Sequence, residues 1–396
     1  MSMPLEGLRI LSVSQFGAGP YGTMHLADLG AEIIKIEDPS TGGDVSRVMG
    51  PAHREDDSLY FQCFNRNKRS LTLNLSKPEG KAVFQRLVKV SHAVFNNLRG
   101  DVPARLGLNY DSLKQFNPAI VCCSLSAYGR TGPQSTMPGY DPLLQASEGY
   151  MSVTGDPSKD PAKCGVSVID FAGGFAGVLG LMAGIYQAQR TGIGCDVDVS
   201  LRDTAVSMLN YLAIWYLNLG IEPKRPQRSA HSILVPGETF RTRDGYIAIF
   251  CAKEKFWENL CHVIQRPDLL CDPRFANFDE RLKNKEILIP ILDHVFAAKT
   301  NAEWMPLLTG KVPCAPVRSI GETLDDPILK ENGMIVELEH PAFGKIREVG
   351  CPIRVSGSTP QYRPGPPVGA DTEDILKSYL DCSAEEIAKL RESGII

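Results

Sequence analysis

No Cys-x-x-Cys pair occurs among the eleven cysteines of this chain, and an odd number cannot close completely into disulfides. Neither a disulfide framework nor a zinc site or other metal centre is therefore expected. Cys122 and Cys123 are adjacent in a strand-like run. Most of the cysteines are expected to be small buried apolar residues, kept reduced in a cytoplasmic compartment. Blocks of like charge are missing too. Forty-two lysines and arginines are scattered among 46 aspartates and glutamates, for a net charge of −4. Such a chain has no electrostatic footprint for nucleic acid or an anionic membrane as partner. No signal peptide opens it, since Glu6 and Arg9 flank only a short apolar strand. Poorly charged runs are scarce: the longest, Gly165 to Ala188, contains Asp170, so no membrane span is expected. Internal repeats are absent.

What is present is ordinary globular material. With 396 residues, 43% of them hydrophobic and 22% charged, the chain can bury a large core and is expected to form two domains. Strand and helix signals alternate over the first 200 residues. Strands are expected at Leu8–Val13, Glu32–Ile36, Leu71–Leu75, Ala93–Asn96, Ile120–Ser126, Gly165–Ile169 and Asp196–Ser200. Helices are expected at Tyr21–Leu29 and Pro78–Val90. This alternation predicts an α/β fold with a parallel sheet covered on both faces. A proline-rich polar stretch after Asn218 reads as a linker. Beyond it lie a hairpin turning at Asp244-Gly245 and helical patterns at Lys255–Ile264, Glu280–Ala298 and Ala302–Leu308. The expected layout is a large domain over 1–220, a small α+β domain over 225–325, and a return to the large domain over 326–396. Ser383 and Glu386 form a capping-box pair before a last helix.

"GAGPYG", residues 17 to 22, matches G-x-G-x-x-G between a strand and a helix, with Glu37 ending the next strand. That is the layout of a dinucleotide site. Pro20, however, has no N–H to offer a pyrophosphate. A tight strand-to-helix turn with Pro20 at the first helical position is the expected reading, with an NAD-dependent oxidoreductase as an alternative.

"GVSVIDFAGG", residues 165 to 174, reads as a strand entering a glycine-rich helix, with Asp170 at the junction. An aspartate there can cap the helix. The positive end of the helix dipole would favour its ionised form, and an ionised, well-aimed carboxylate can act as a nucleophile. Gly173, Gly177, Gly180 and Gly184 fall on one stripe of that helix. The stripe is expected to admit a backbone or ligand closely, while Phe175, Val178, Leu179, Met182 and Ile185 pack in a core.

Several long segments, among them "GLRILSVSQFGAGPYGTMHLADLGAEIIKIEDP", "NNLRGDVPARLGLNYDSLKQFNP", "GYDPLLQASEGYMSVTG" and "VPCAPVRSIGETLDDP", resemble the class III coenzyme A transferases over nearly the whole chain. The resemblance implies a Rossmann-like large domain and a ring-shaped chain in an interlocked homodimer. It implies an enzyme moving CoA from an acyl-CoA thioester to a small carboxylic acid, such as succinate. Coenzyme A is then a substrate, with no permanently bound cofactor. The family's catalytic aspartate falls on Asp170. Arg105 in "ARLG" matches an arginine that contacts CoA. Leu73, Asn74, Leu75 and Ser76 in "LNLSK" match a CoA-binding segment, and Asn97 and Leu98 lie where the family chain passes the nucleotide. Gly17 and Ala18 match the turn near the pantetheine. Tyr60 matches an active-site tyrosine, and Tyr140-Asp141 a substrate-site pair. Related acyl-CoA racemases carry a histidine where Tyr140 stands. Tyrosine, with a pKa of about 10, is a poor base at neutral pH, so transferase is favoured over racemase or epimerase. A glutamine and an arginine stand at positions 17 and 38 in formyl-CoA transferases. Gly17 and Asp38 therefore argue against formyl or oxalyl substrates.

Overall fold

The computed structural model describes residues 2–54 and 56–396. Six strands form an all-parallel sheet: β1 (Arg9–Val13), β2 (Glu32–Glu37), β3 (Arg69–Thr72), β4 (Ala93–Asn96), β5 (Val121–Ser126) and β6 (Cys195–Ser200). Their order is β3-β2-β1-β4-β5-β6. This is a doubly wound arrangement, in which the direction of winding reverses between β1 and β4. The central strands carry "RILSV", "AVFN" and "VCCSLS". These are near-continuous apolar or small runs, as expected for strands buried on both faces.

The helices include α1 (Ala18–Asp28), α2 (Leu59–Asn65), α3 (Pro78–Lys89), α4 (Val102–Leu106), α5 (Asp141–Ser147), α6 (Val168–Thr191) and α7 (Leu201–Met208), and α8 (Asn210–Leu219) follows α7 in the chain. The chain divides into two units. One comprises residues 1–148, 165–213 and 327–396, and the other 149–164 and 214–326. The segment 149–164 thus groups with the second unit. In the first unit, Leu11, Ile34, Leu71, Leu87 and Val94 share a core with Ile375, Leu376 and Ile387 from the C-terminal helices Thr372–Leu380 and Ala384–Glu392. The last helix starts with the expected capping box of Ser383 and Glu386. The second unit holds an antiparallel sheet of Gly237–Arg241, Tyr246–Phe250 and Cys314–Pro316. Its core is built from Phe240, Trp257, Phe296 and Trp304. The single helix expected over Glu280–Ala298 is two, Phe278–Lys283 and Lys285–Phe296, parted at Asn284.

Two expectations fail around α6. Residues 165–167 are not a strand, and the helix begins at Val168. The glycine stripe is met by side chains of the sheet, not by another backbone or a ligand cleft. A Cβ on Gly177, Gly180 or Gly184 would lie 3.2, 2.9 or 2.7 Å from Phe95, Val197 or Val121 respectively. Gly174, off that stripe, meets α1: a Cβ there would lie 2.5 Å from the Ala18 carbonyl oxygen, and one on Gly22 would lie 2.5 Å from that of Gly174. Glycines let a helix settle this closely on backbone. The opposite face is mixed. Val178 and Ile185 are buried, while Leu179 and Tyr186 are 72% and 63% exposed. The 24-residue α6 is long and apolar enough to cross a membrane by length and composition, but its glycine edge is packed on the sheet.

Candidate active site

At the reversal of winding, the chains leaving β1 and β4 part and open a crevice beyond the strand ends. Asn97, just after β4, binds the loop after β1. Its Oδ1 accepts from the Gln15 N–H at 2.9 Å, and its Nδ2 donates to the Gln15 carbonyl at 2.8 Å. Lys35, in β2, anchors the same loop. Its Nζ donates to the Ser14 carbonyl at 2.7 Å and to Asp44 at 2.6 Å. Asp44 accepts in turn from the N–H groups of Phe16 (3.0 Å) and Ser46 (2.9 Å). Burial alone would push Asp44 up, but the Lys35 ammonium and the N–H groups of Ser46 and Phe16 together hold the carboxyl below its ordinary value. So restrained, Phe16 adopts a φ of 67°, a left-handed conformation that is costly for a bulky residue. Its ring rests near Tyr60 and Tyr140, with centroids 5.8 and 6.3 Å away.

Across the crevice stands Asp170, in the first turn of α6 and 9% exposed. A Cβ on Gly17 would lie 3.3 Å from its Oδ2, so the bare glycine backbone forms one wall beside the carboxylate. Asp170 is not the helix cap. Ser167 holds that position without a capping side-chain bond. Asp141 does the work from α5: its Oδ2 accepts from the N–H groups of Ile169 (2.8 Å) and Asp170 (3.2 Å). The Asp170 carboxylate itself accepts no hydrogen bond among the described residues. Burial, and then the charge of Asp141, push its pKa up to about 7. The dipole argument from sequence pointed the other way. A helix terminus is worth only about 1 kcal/mol, and desolvation of a carboxylate exceeds that.

The residues singled out from sequence fall into three groups. Gly17, Ala18, Asn97, Leu98 and Tyr140 line one cleft of about 420 Å³ with Asp170. Leu73, Leu75, Ser76 and Leu98 line an adjoining cleft of about 270 Å³, and Gln15 and Leu98 are common to both. The remainder line neither. Asn74 is buried and turns its Oδ1 onto the Ser76 N–H at 2.9 Å. Arg105 is exposed on α4, beside Leu106, which does line the smaller cleft. Tyr60 reaches the site through Phe16. Asp141 is 2% exposed and faces backbone rather than the cleft. Sequence reasoning missed Lys35, Asp44 and Phe16, whose roles come from contacts between separate segments. It also missed Arg99, which lines the larger cleft while paired with Asp101 at 2.6 Å.

The dinucleotide alternative loses its key residue. Both Glu37 oxygens are taken by Arg47 (2.7 and 2.8 Å), Ser70 (2.6 Å) and the Asp44 N–H (3.0 Å), which leaves no acceptor facing a ribose. Pro20 stands third in α1, not first. Elsewhere, His25, Asp28 and Cys351 gather their ligand atoms within 4.8 Å. Arg66 and Asn67 already occupy Asp28 at 2.7 and 2.8 Å, so a guanidinium stands where a cation would bind.

The sequence profile described as CoA-transferase family III matches residues 5–372. The chain belongs to this family. It is 35% identical to mouse succinyl-CoA:glutarate CoA-transferase over 395 residues, covering 99% of this chain and 90% of that protein. It is 33% identical to the acetyl-CoA:oxalate CoA-transferase of Acetobacter aceti, covering 92% of each. A solved family structure, a CAIB/BAIF family protein from Brucella suis, superposes with a TM-score of 0.82 at 30% identity, covering 96% of this chain and all of that one. Like its family III relatives, this CoA transferase moves CoA between an acyl-CoA and a carboxylic acid.

Proposed function

We propose that Asp170 carries the transferred group covalently, and that the substrates are small dicarboxylic acids and their CoA thioesters. The carboxylate attacks the donor thioester; a C–O bond forms, the C–S bond breaks and CoA thiolate leaves. The thiolate then attacks the Asp170 carbonyl of the mixed anhydride, releasing the donor acid and leaving an aspartyl-CoA thioester. The acceptor carboxylate attacks that thioester and frees the thiolate. Attack of the thiolate on the acceptor carbonyl regenerates Asp170 and yields the new acyl-CoA. Exchange through activated intermediates is the gain from covalent catalysis. One observation carries the reading: a buried carboxylate free of donors faces a cleft against the bare backbone of Gly17.

In this reading the nucleotide of CoA occupies the smaller cleft, with Leu73, Leu75 and Ser76 along it and Arg105 at its mouth for a phosphate. Pantetheine passes Leu98 and Gln15, and the thioester reaches Gly17 and Ala18. The N–H groups of Ala18 and Gly19, at the start of α1, have no partners within the helix and suit a developing oxyanion. The dicarboxylate class is supported by the succinate and glutarate in the mouse relative's name. The test follows CoA exchange by mass spectrometry with succinyl-CoA and a panel of mono- and dicarboxylic acceptors. Exchange with dicarboxylates, and an acyl or CoA adduct on the peptide containing Asp170, are expected. Deuterium uptake at the α-carbon without exchange would instead mark a racemase.

An interlocked homodimer, the arrangement implied by the family resemblance, is part of the same reading. It is supported by α8, an apolar helix with no buried residue, in which Ile214, Leu217 and Leu219 are 58%, 76% and 67% exposed. Exposed apolar side chains clustered in this way mark an interface. Sedimentation should give a dimer for the wild type, and Leu217→Asp should give monomer or aggregate. A monomeric wild type would remove this part of the proposal.

A further inference from the structure

Asp141 was read from sequence as part of the substrate site, yet its carboxylate is buried and turned away from the cleft. It lies where the N-terminal ends of α5 and α6 converge. Besides holding the N–H groups of Ile169 and Asp170, it accepts from Gln145 Nε2 at 2.6 Å through Oδ1. Gln145 is itself fully buried, one turn further along α5. The side chain that caps α6 thus comes from 28 residues upstream and is locked by a neighbour on its own helix. Two consequences follow for the adjoining carboxylate of Asp170. Its backbone is pinned at one N–H, so its side chain leaves the helix at a fixed place opposite Gly17. It also stands next to a second buried acidic group.

We propose that Asp141 is a positioning residue for the transfer reaction: its carboxylate holds the first N–H groups of α6 from outside the helix and sets a second buried acidic group beside Asp170. The inference rests on the reading of Asp170 as nucleophile. Other charged or titratable groups on elements against α6 are Tyr21, His25 and Asp28 on α1, Cys122 and Cys123 on β5, Cys195, Asp196 and Asp198 on β6, and Arg202 and Asp203 on α7. Tyr60 and Arg99 stand around the cleft. Among all of these, Asp141 is the group whose charge bears on Asp170. A nearby like charge disfavours ionisation, and nucleophilic reactivity rises with basicity. The enzyme thereby gains reactivity and gives up some ionised carboxylate below neutral pH.

The test is the pH dependence of kcat/KM for CoA exchange. The wild type should lose activity on the acid side with a midpoint near pH 7, where Asp170 takes up its proton. Asp141→Asn keeps an oxygen for the cap and removes the charge. Its midpoint should fall by about one pH unit or more, with a lower plateau rate. Asp141→Glu keeps the charge and displaces the cap. Its midpoint should stay within about 0.3 of the wild type, while kcat drops by up to about 100-fold through misplacement of the nucleophile. A purely structural role would lower both plateaus and move neither midpoint. The proposal is overturned if the Asp141→Asn midpoint coincides with the wild type's, or if that of Asp141→Glu moves to acid as far as that of Asp141→Asn. Should Asp141→Asn not fold, Asp141→Ser, which also offers a capping oxygen without the charge, takes its place and is held to the same midpoint shift. Full exchange activity in Asp170→Ala would remove the nucleophile reading itself, whereas an inactive Asp170→Ala beside an unmoved Asp141→Asn midpoint removes only the present inference.

Discussion

Asp170→Ala is expected to lose CoA exchange by about four orders of magnitude or more, the scale seen when a covalent nucleophile is deleted. The variant should remain folded, because the α6 cap is supplied by Asp141 and not by the residue removed. It should also be the more stable protein in one pH range. The Asp170 carboxyl has its pKa raised from 3.8 to about 7, through burial first and Asp141 second. A group raised on folding contributes most below its unfolded value, and that contribution is lost as pH rises through the folded value. A tenfold change in proton affinity is worth about 1.4 kcal/mol, so above pH 7 the ionised wild type is less stable by up to about 4 kcal/mol. Melting temperatures should therefore favour Asp170→Ala at pH 8, with the gap closing as pH falls from 7 towards 4. Retained exchange would sink the nucleophile, and a gap that does not change with pH would sink the electrostatic account.

The second large effect is expected from Gly174→Ala. Alanine in a helix interior normally stabilises by about 1 kcal/mol relative to glycine. Here the added methyl would sit 2.5 Å from the Ala18 carbonyl oxygen, a backbone atom that cannot rotate away. Helices α1 and α6 must separate, and overpacking of this kind costs about 1–3 kcal/mol, which outweighs the helix gain. The separation also carries Gly17 away from Asp170, and a displacement of about 1 Å at reacting groups can cost about 100-fold in rate. Gly180→Ala is the control. Its methyl meets the end of the Val197 side chain at 2.9 Å, well along the helix from the site. Calorimetry and kcat together decide. A Gly174→Ala enzyme with wild-type melting and turnover would show that this contact does not position the site.

Local patterns in the sequence were sufficient for most of the sheet. Ala93–Asn96 was delimited to the residue, because three apolar residues and an asparagine stand between polar turns. The hairpin at Asp244-Gly245 and the final capping box were legible for the same reason: each depends on neighbours in the chain. What failed depended on distant partners. "GVSVI" has the β-branched look of a strand, but the N–H groups of Ile169 and Asp170 are claimed by Asp141 from another segment, and the helix starts early. The same contact overturned the capping role given to Asp170. Its family position singled the residue out correctly as the acid facing the cleft, while its charge state could not be judged without knowing how deeply it is buried. Asn97 was placed at the right loop, but its side chain proved to be a tie to Gln15.

Helix α6 bears Asp170 at one end and lies along three strands of the sheet by its glycine edge. A bulkier residue at Gly173 or Gly177, on the part of that edge nearest Asp170, would tilt the rod and swing its tip, so those positions have little freedom to vary. Variation in the cleft is thereby steered to positions at its rim, such as Val45, Met49, Met137 and Tyr140, where side chains can be exchanged without disturbing the angle of α6.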